Sequence, residues 1–201
     1  MMLVEAYNQL PSCFVTATDT DAGKTYVSCQ ILKAWQQAGH TVGAFKPLAS
    51  GAIWQYGQLV SEDALALAAV TGQPLSEINP YTFEAPASPH IADTEGLFDL
   101  AATIQALKSL QQKYDRVLVE GVGGWCVPLN DRLMLKDLAN ACALPVVMVA
   151  RIGLGCINHS LLTIEQIRRD CDLYHGWIAN CIDPEFTDAE ANIQAISVRS
   201  K

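Results

Sequence analysis

Five short, almost wholly apolar runs alternate along the chain with longer segments of helical period, and this alternation constrains the fold more than any other feature. The runs are SCFVTAT (12–18), HTVGAFKPL (40–48), DRVLVEGVGG (115–124), LPVVMVARIG (144–153) and LYHGWIANCID (173–183). A strand reads as continuously apolar when helices cover both faces of its sheet. The intervening pattern predicts helices from Gly23 to about Ala38, closed by Gly39, and over 61–72, 99–114, 133–143 and 156–170. Ser61 is placed to cap the second of these, with Glu62 and Asp63 favourably placed in its first turn. INPYTFEAPASPHIA (78–92) carries three prolines and reads as an ordered loop. The expectation is an α/β fold, with a mostly parallel sheet and helices on both faces, in a single domain over 1–201.

Half the residues are hydrophobic, enough for a substantial core. The net charge of −8 argues against a general nucleic-acid binder, which normally shows a basic footprint. It says little about a small anion, since a local pair of lysines outweighs distant charges. The N-terminus shows no basic stretch followed by an apolar core, and ALPVVMVA (143–150) is far too short to span a bilayer. No membrane association and a cytoplasmic location are therefore expected. The seven cysteines are widely spaced and odd in number, and read as reduced, small core residues. The four histidines share no ligand-like spacing, so no zinc site is expected.

In parallel α/β sheets ligands bind at the carboxyl ends of the strands, so the residues just past each run carry the chemistry. TATDTDAGKT (16–25) follows a strand and opens a helix. Backbone N–H groups and the helix dipole bind phosphate in such a place. Lys24 would reach the terminal phosphates and Thr25 would ligate Mg²⁺. The usual loop has its first glycine where this chain has Thr18. Lys46 ends the second strand before Pro47, and a second cation beside a phosphate loop would stabilise charge during phosphoryl transfer. Glu120 ends the third strand and GVGG follows. A carboxylate there commonly orients a metal. Asp63 is either a metal acid or only a helix-dipole partner, and Asn180 either a base contact or a strand cap. Trp125 and Trp177 read as core or interface. RIGLGCINHS (151–160) is either a subunit or substrate contact or a tight turn with a helix cap.

Taken in order, TATDTDAGKT, FKPLASG, SEDALAL, NPYTF, SPHIA, VEGVGGWCVPL, LGCINHSLLT and GWIAN resemble the dethiobiotin synthetases, from about Cys13 to Asp183. The resemblance implies a P-loop NTPase-like sheet, ATP and Mg²⁺ as cofactors, and a homodimer with substrate near the subunit interface. The implied substrates are 7,8-diaminononanoate and CO₂ or bicarbonate. One amine takes up CO₂, and the carbamate attacks the γ-phosphate to give a carbamic–phosphoric anhydride. The second amine then closes the ureido ring. No protein nucleophile is needed, so the protein supplies positioning and charge neutralisation.

Carried onto matching positions, Lys46, Lys24 and Thr20 form the implied catalytic set. Asp21, Ala22, Gly23, Lys24, Thr25 and Tyr26 would cradle the phosphates. Thr25, Asp63 and Glu120 would arrange Mg²⁺. Glu120, Gly121, Val122 and Gly123 would line the nucleotide, and Asn180 with Cys181 would meet the adenine. Ser50 would contact the substrate, and Asn158 the neighbouring subunit's substrate. Two departures stand out. Ala17 occupies a position where the family usually has glycine, which is harmless only if its φ is negative. The tail after Asn180 is short relative to the family and has no glycine or proline beyond Pro184. The alternative expectation is thus a shortened relative that binds nucleotide or diamine without efficient turnover.

Overall fold

The computed structural model describes residues 7–201. Each apolar run forms a strand: β1 (Cys13–Ala17), β2 (Val42–Phe45), β7 (Arg116–Glu120), β8 (Val146–Arg151) and β9 (Tyr174–Asn180). They make one five-stranded sheet in the order β2-β7-β1-β8-β9, with every pairing parallel. Parallel neighbours need crossovers, and the helices supply them. These are α1 (Lys24–Gln37), α2 (Glu62–Thr71), α3 (Leu75–Ile78), α4 (Pro89–Ala92), α5 (Leu100–Lys113), α6 (Leu135–Cys142), α7 (Cys156–Asp170) and α8 (Ala189–Arg199).

Successive side chains of a strand point to opposite faces, which divides the core in two. Cys13, Val15 and Ala17 of β1 join Val147 and Val149 beneath Val27, Ile31 and Trp35 of α1 and Leu67 of α2. Phe14 joins Val117, Val119, Val146 and Met148 beneath Leu107 of α5, Leu138 of α6, Ile164 of α7 and Ile196 of α8. Helices therefore cover both faces, as the unbroken apolar strands predict. The caps also form: the Ser61 hydroxyl accepts from Ala64 N at 3.4 Å, and Gly72 closes α2 with φ 73°.

Three regions differ from the sequence expectation. The predicted strand over 40–48 splits at Pro47, which has no N–H to donate to a ladder. Its far end, Leu48–Ala49 (β3), pairs instead with Tyr81–Thr82 (β6). The loop predicted over 78–92 thus contains a strand and the short α4. Between the halves, Ile53–Gln55 (β4) and Gln58–Val60 (β5) form a hairpin about Tyr56 and Gly57, both at positive φ. The tail after Pro184 forms α8, which buries Ile196 on the α7 side of the sheet. The cysteine expectation holds for Cys13, Cys29, Cys142, Cys156 and Cys171, but Cys126 and Cys181 are exposed. Cys181 directly follows β9, and Cys126 lies in the long loop between β7 and α6.

Candidate active site

The ends of β1, β2 and β7 open on a cleft of about 500 Å³. Its floor begins in the loop after β1. Thr18 N donates to Val149 O at 3.0 Å, and Gly121 N to Val15 O at 2.9 Å, so both neighbouring strands hold the loop's base. Asp21 turns it with φ 57° and Gly23 with φ 84°. Aspartate is among the few residues that enter this left-handed region. At Gly23 a β-carbon would lie 2.0 Å from Asn180 Nδ2. That amide donates to Ala22 O at 2.9 Å, so the end of β9 braces the loop from outside. No side chain caps α1 and its first turn has no acid, so its leading N–H groups remain available to an anion. Lys24 Nζ meanwhile donates to Asp19 O at 3.3 Å.

Behind the loop lies a charge cluster drawn from three elements. Lys46 Nζ sits 2.6 Å from Asp63 Oδ2 and 2.8 Å from Glu120 Oε1. The Thr25 hydroxyl reaches Asp63 Oδ1 at 2.7 Å and Glu120 Oε1 at 2.8 Å. Lys46 and Glu120 are buried, at 2% and 0% exposure, whereas the Asp63 side chain is 44% exposed. Burial pulls the Lys46 ammonium down, but the Glu120 and Asp63 carboxylates outweigh it and hold its pKa above the ordinary lysine value. Burial likewise pushes Asp63 up, and Lys46 and Thr25 overcome this to hold it below the ordinary carboxylate value. Lys24 moves the other way: burial and the nearby Lys46 charge lower it, beyond what the acids restore.

One atom in the cluster has no partner among the described residues. Glu120 Oε2 is buried and accepts no hydrogen bond, while Oε1 accepts two. One hydroxyl and two carboxylates converging here are hard oxygen donors, the kind Mg²⁺ takes while keeping waters and phosphate oxygens as further ligands. The residues present therefore fit that ion.

The structure gathers most of the sequence-predicted residues into this one place. Thr20, Asp21, Gly23, Lys24, Thr25, Lys46, Ser50, Asp63, Val122 and Gly123 all line the cleft. Ala22 and Glu120 are buried, and at Gly121 a β-carbon would meet Leu135 Cδ2 at 2.9 Å. Tyr26, on α1, is 64% exposed and lies outside the cleft lining. Asn180 is spent on the loop backbone, and Cys181 is exposed beyond it. Asn158 is exposed in the first turn of α7, away from the cleft lining. The sequence reading missed the opposite wall, Pro86 to Pro89, where Ser88 Oγ donates to Pro128 O at 3.1 Å. The SPHIA string was the available signal. Ala17 lies within β1, paired with Val149 and outside the positive-φ residues, so alanine is accommodated there.

A glycine-turned loop opening a helix, with a lysine and a hydroxyl beside two acids, one of them buried, defines a P-loop nucleotide-binding α/β protein. A family model described as an AAA domain matches residues 12–201. The kinase domain of the Escherichia coli tyrosine kinase ETK shares the fold, with a TM-score of 0.54 at 16% identity over 90% of this chain and 70% of that one. The signal recognition particle 54 kDa protein of Aeropyrum pernix does so at 0.53 and 15% identity, over 96% of this chain and 40% of that one. The ATP-dependent dethiobiotin synthetase BioD of Aromatoleum aromaticum is 43% identical over 92% of this chain and 84% of its own. The enzyme of the same name from Xanthomonas campestris is 43% identical over 95% and 87%. The chain belongs to the ATP-dependent dethiobiotin synthetases.

Proposed function

We propose that this chain closes the ureido ring of dethiobiotin from 7,8-diaminononanoate and CO₂ at the expense of ATP, within one domain. The observation that carries the residue assignment is Lys46, buried between Asp63 and Glu120 directly behind Lys24 and Thr25. The substrate supplies both nucleophiles: its carbamate oxygen takes the γ-phosphoryl group, and its second amine attacks the carbamate carbon as phosphate leaves. Lys24 and Lys46 hold positive charge where the phosphoryl group passes, the largest single contribution such a site makes. Thr25, Asp63 and Glu120 hold Mg²⁺, which when bound neutralises phosphate charge. The loop's N–H groups orient the phosphates, and Thr20 with Ser50 faces the diamine end of the cleft. Asn180 and Cys181 flank the adenine side of the loop, and Gly121 lets backbone approach the nucleotide.

The working form is a homodimer. Leu154, in the turn before α7, and Leu162, on α7, are 99% and 64% exposed, four residues before and after Asn158. A second copy covering them would carry Asn158 to its neighbour's substrate. Light scattering of the purified protein checks this, with a monomer at micromolar concentration as the contrary result. Among the described residues no helix is long and apolar enough to cross a membrane. Free cysteines suit a reducing compartment, the cytoplasm.

The deciding experiment is incorporation of labelled bicarbonate into acid-stable product, with diamine, ATP and Mg²⁺ each omitted in turn. Incorporation that needs all of them is expected. A folded protein that binds ATP or diamine but incorporates no label would be a binding relative instead.

A further inference from the structure

The NPYTF string has no part in the chemistry above, yet it surrounds the backbone of Lys46. The last β2–β7 pairing is Phe45 with Val119, so Lys46 leaves the sheet just where its side chain must be aimed. Both of its backbone groups are then taken up by the segment that ends α3. Lys46 N donates to Ile78 O at 2.8 Å, and Lys46 O accepts from Asn79 Nδ2 at 2.8 Å. The second of these is a side-chain bond. Asn79 Nδ2 also donates to Tyr81 O at 3.2 Å, and Asn79 Oδ1 accepts from the Thr82 hydroxyl at 3.0 Å. The carboxamide is therefore held at both ends and buried at 8% exposure.

We infer that Asn79 is a positioning residue for phosphoryl transfer: its carboxamide fixes the Lys46 carbonyl, and through it the aim of the Lys46 ammonium at Glu120 and Asp63. The inference rests on Lys46 acting in the reaction. Asn79 is not itself among the residues lining the cleft, and it reaches the lining only through the Lys46 carbonyl, so its loss should leave nucleotide binding alone. A displacement of about 1 Å in a group of this kind costs on the order of 100-fold in rate.

The test uses Asn79→Ala, Thr82→Val, Lys46→Gln and the double variant Asn79→Ala/Lys46→Gln. Turnover is measured by labelled bicarbonate, and nucleotide affinity by a fluorescent ATP analogue. Asn79→Ala should lower kcat by about 10- to 100-fold with little change in nucleotide Kd. Thr82→Val, which frees the far end of the carboxamide, should lower kcat less and in the same way. With Lys46 already replaced, Asn79→Ala should cost nothing further, because the two act as one unit. A merely structural asparagine would instead lower folding midpoint and affinity together, and its effect would add to that of Lys46→Gln. Should Asn79→Ala fail to fold, Thr82→Val decides: full kcat in that variant overturns the inference. Reduced turnover in Lys46→Gln with full turnover in Asn79→Ala overturns the inference while leaving the role of Lys46 intact. Full turnover in Lys46→Gln overturns both.

Discussion

The β1 loop and the corner after β2 each present one lysine to the cleft, and they hold it in opposite ways. The loop is local: Asp19, Asp21, Gly23 and Lys24 lie within six residues, and Lys24 Nζ donates to a backbone carbonyl of the same loop. The corner is assembled: Lys46 meets Glu120 across a separation of 74 residues, and Thr25 meets the same oxygen across 95. Short-range geometry holds the first lysine free for a ligand. Long-range geometry neutralises the second before any ligand arrives. On the proposed function, the first arrangement would favour binding and the second would hold a charge for the transition state.

Replacing the two lysines should separate these roles most sharply. Lys24→Ala and Lys46→Ala should each lower turnover by at least ~100-fold, the scale of losing one transition-state donor. Stability should divide them. Lys46→Ala leaves Glu120 buried without its cation, a loss of about 3–5 kcal/mol. Lys24→Ala removes a cation with no acid in contact and relieves its repulsion with Lys46, so its urea midpoint should stay level or rise. Equal midpoints in the two variants would break the distinction.

Gly23→Ala attacks the β1 loop and its brace from β9 while leaving the Lys46 corner untouched. The new β-carbon would need φ near 84° and would strike Asn180 Nδ2 at 2.0 Å. Left-handed strain in a non-glycine residue costs about 1–3 kcal/mol, so calorimetry should show a lower melting temperature together with weakened ATP binding. The Lys46 cluster should survive, and a variant that keeps full ATP affinity would show that Asn180 yields easily.

The same contrast explains what the sequence made legible. The strands were readable because burial on both faces leaves little room for polar positions, Lys24 and Thr25 because they open the helix after the β1 loop, and Glu120 because it ends β7. Asn79 was not, because its partner Lys46 lies 33 residues away and a carboxamide before a proline reads equally well as a turn residue. The β4–β5 hairpin escaped because Tyr56 and Gly57 supply its two positive-φ positions without the usual Asn-Gly or Asp-Gly pair. Asn180 was correctly placed at a strand end, but its bond to Ala22 O depends on which strand the topology sets beside the loop's helix. The α8 helix has little apolar contrast between its faces, and its assignment had to wait for Ile196 to find α7.

Titration should tell the two lysines apart without mutation. Lys24 is held below the ordinary lysine value of 10.5 and Lys46 above it. If phosphate is held by the Lys24 ammonium as proposed, ATP affinity should fall as pH rises through a pKa that lies under 10.5. A raised lysine contributes stability in full below its unfolded value and loses it only as pH passes the folded one. The Lys46 contribution is thus intact up to 10.5 and lost above that. Affinity should therefore fail at a pH where the fold still holds. At the acid end Asp63 is depressed below 3.8, so its contribution is present above that value and lost as pH falls through its lower folded pKa. Asp63→Asn should flatten that limb of a plot of urea midpoint against pH. Coincident loss of affinity and stability in alkali would mean that the two lysines titrate as one group.

The smallest effect should come from the residue that looked most anomalous. Ala17 stands where the family usually has glycine, at the mouth of the loop whose other turns depend on positive φ. It lies in β1, paired with Val149, and its side chain is fully buried among Val15, Val149 and their neighbours. Glycine there would regain no conformation the chain needs. It would remove a buried methyl group and loosen a strand, a loss of about 0.5–1 kcal/mol by backbone entropy. Ala17→Gly should therefore bind ATP and turn over as the parent does, with a slightly lower melting temperature. A marked gain in ATP affinity on that substitution would mean that the local arrangement reaches back into β1. The boundary between loop and scaffold would then have to be drawn before Ala17 rather than after it.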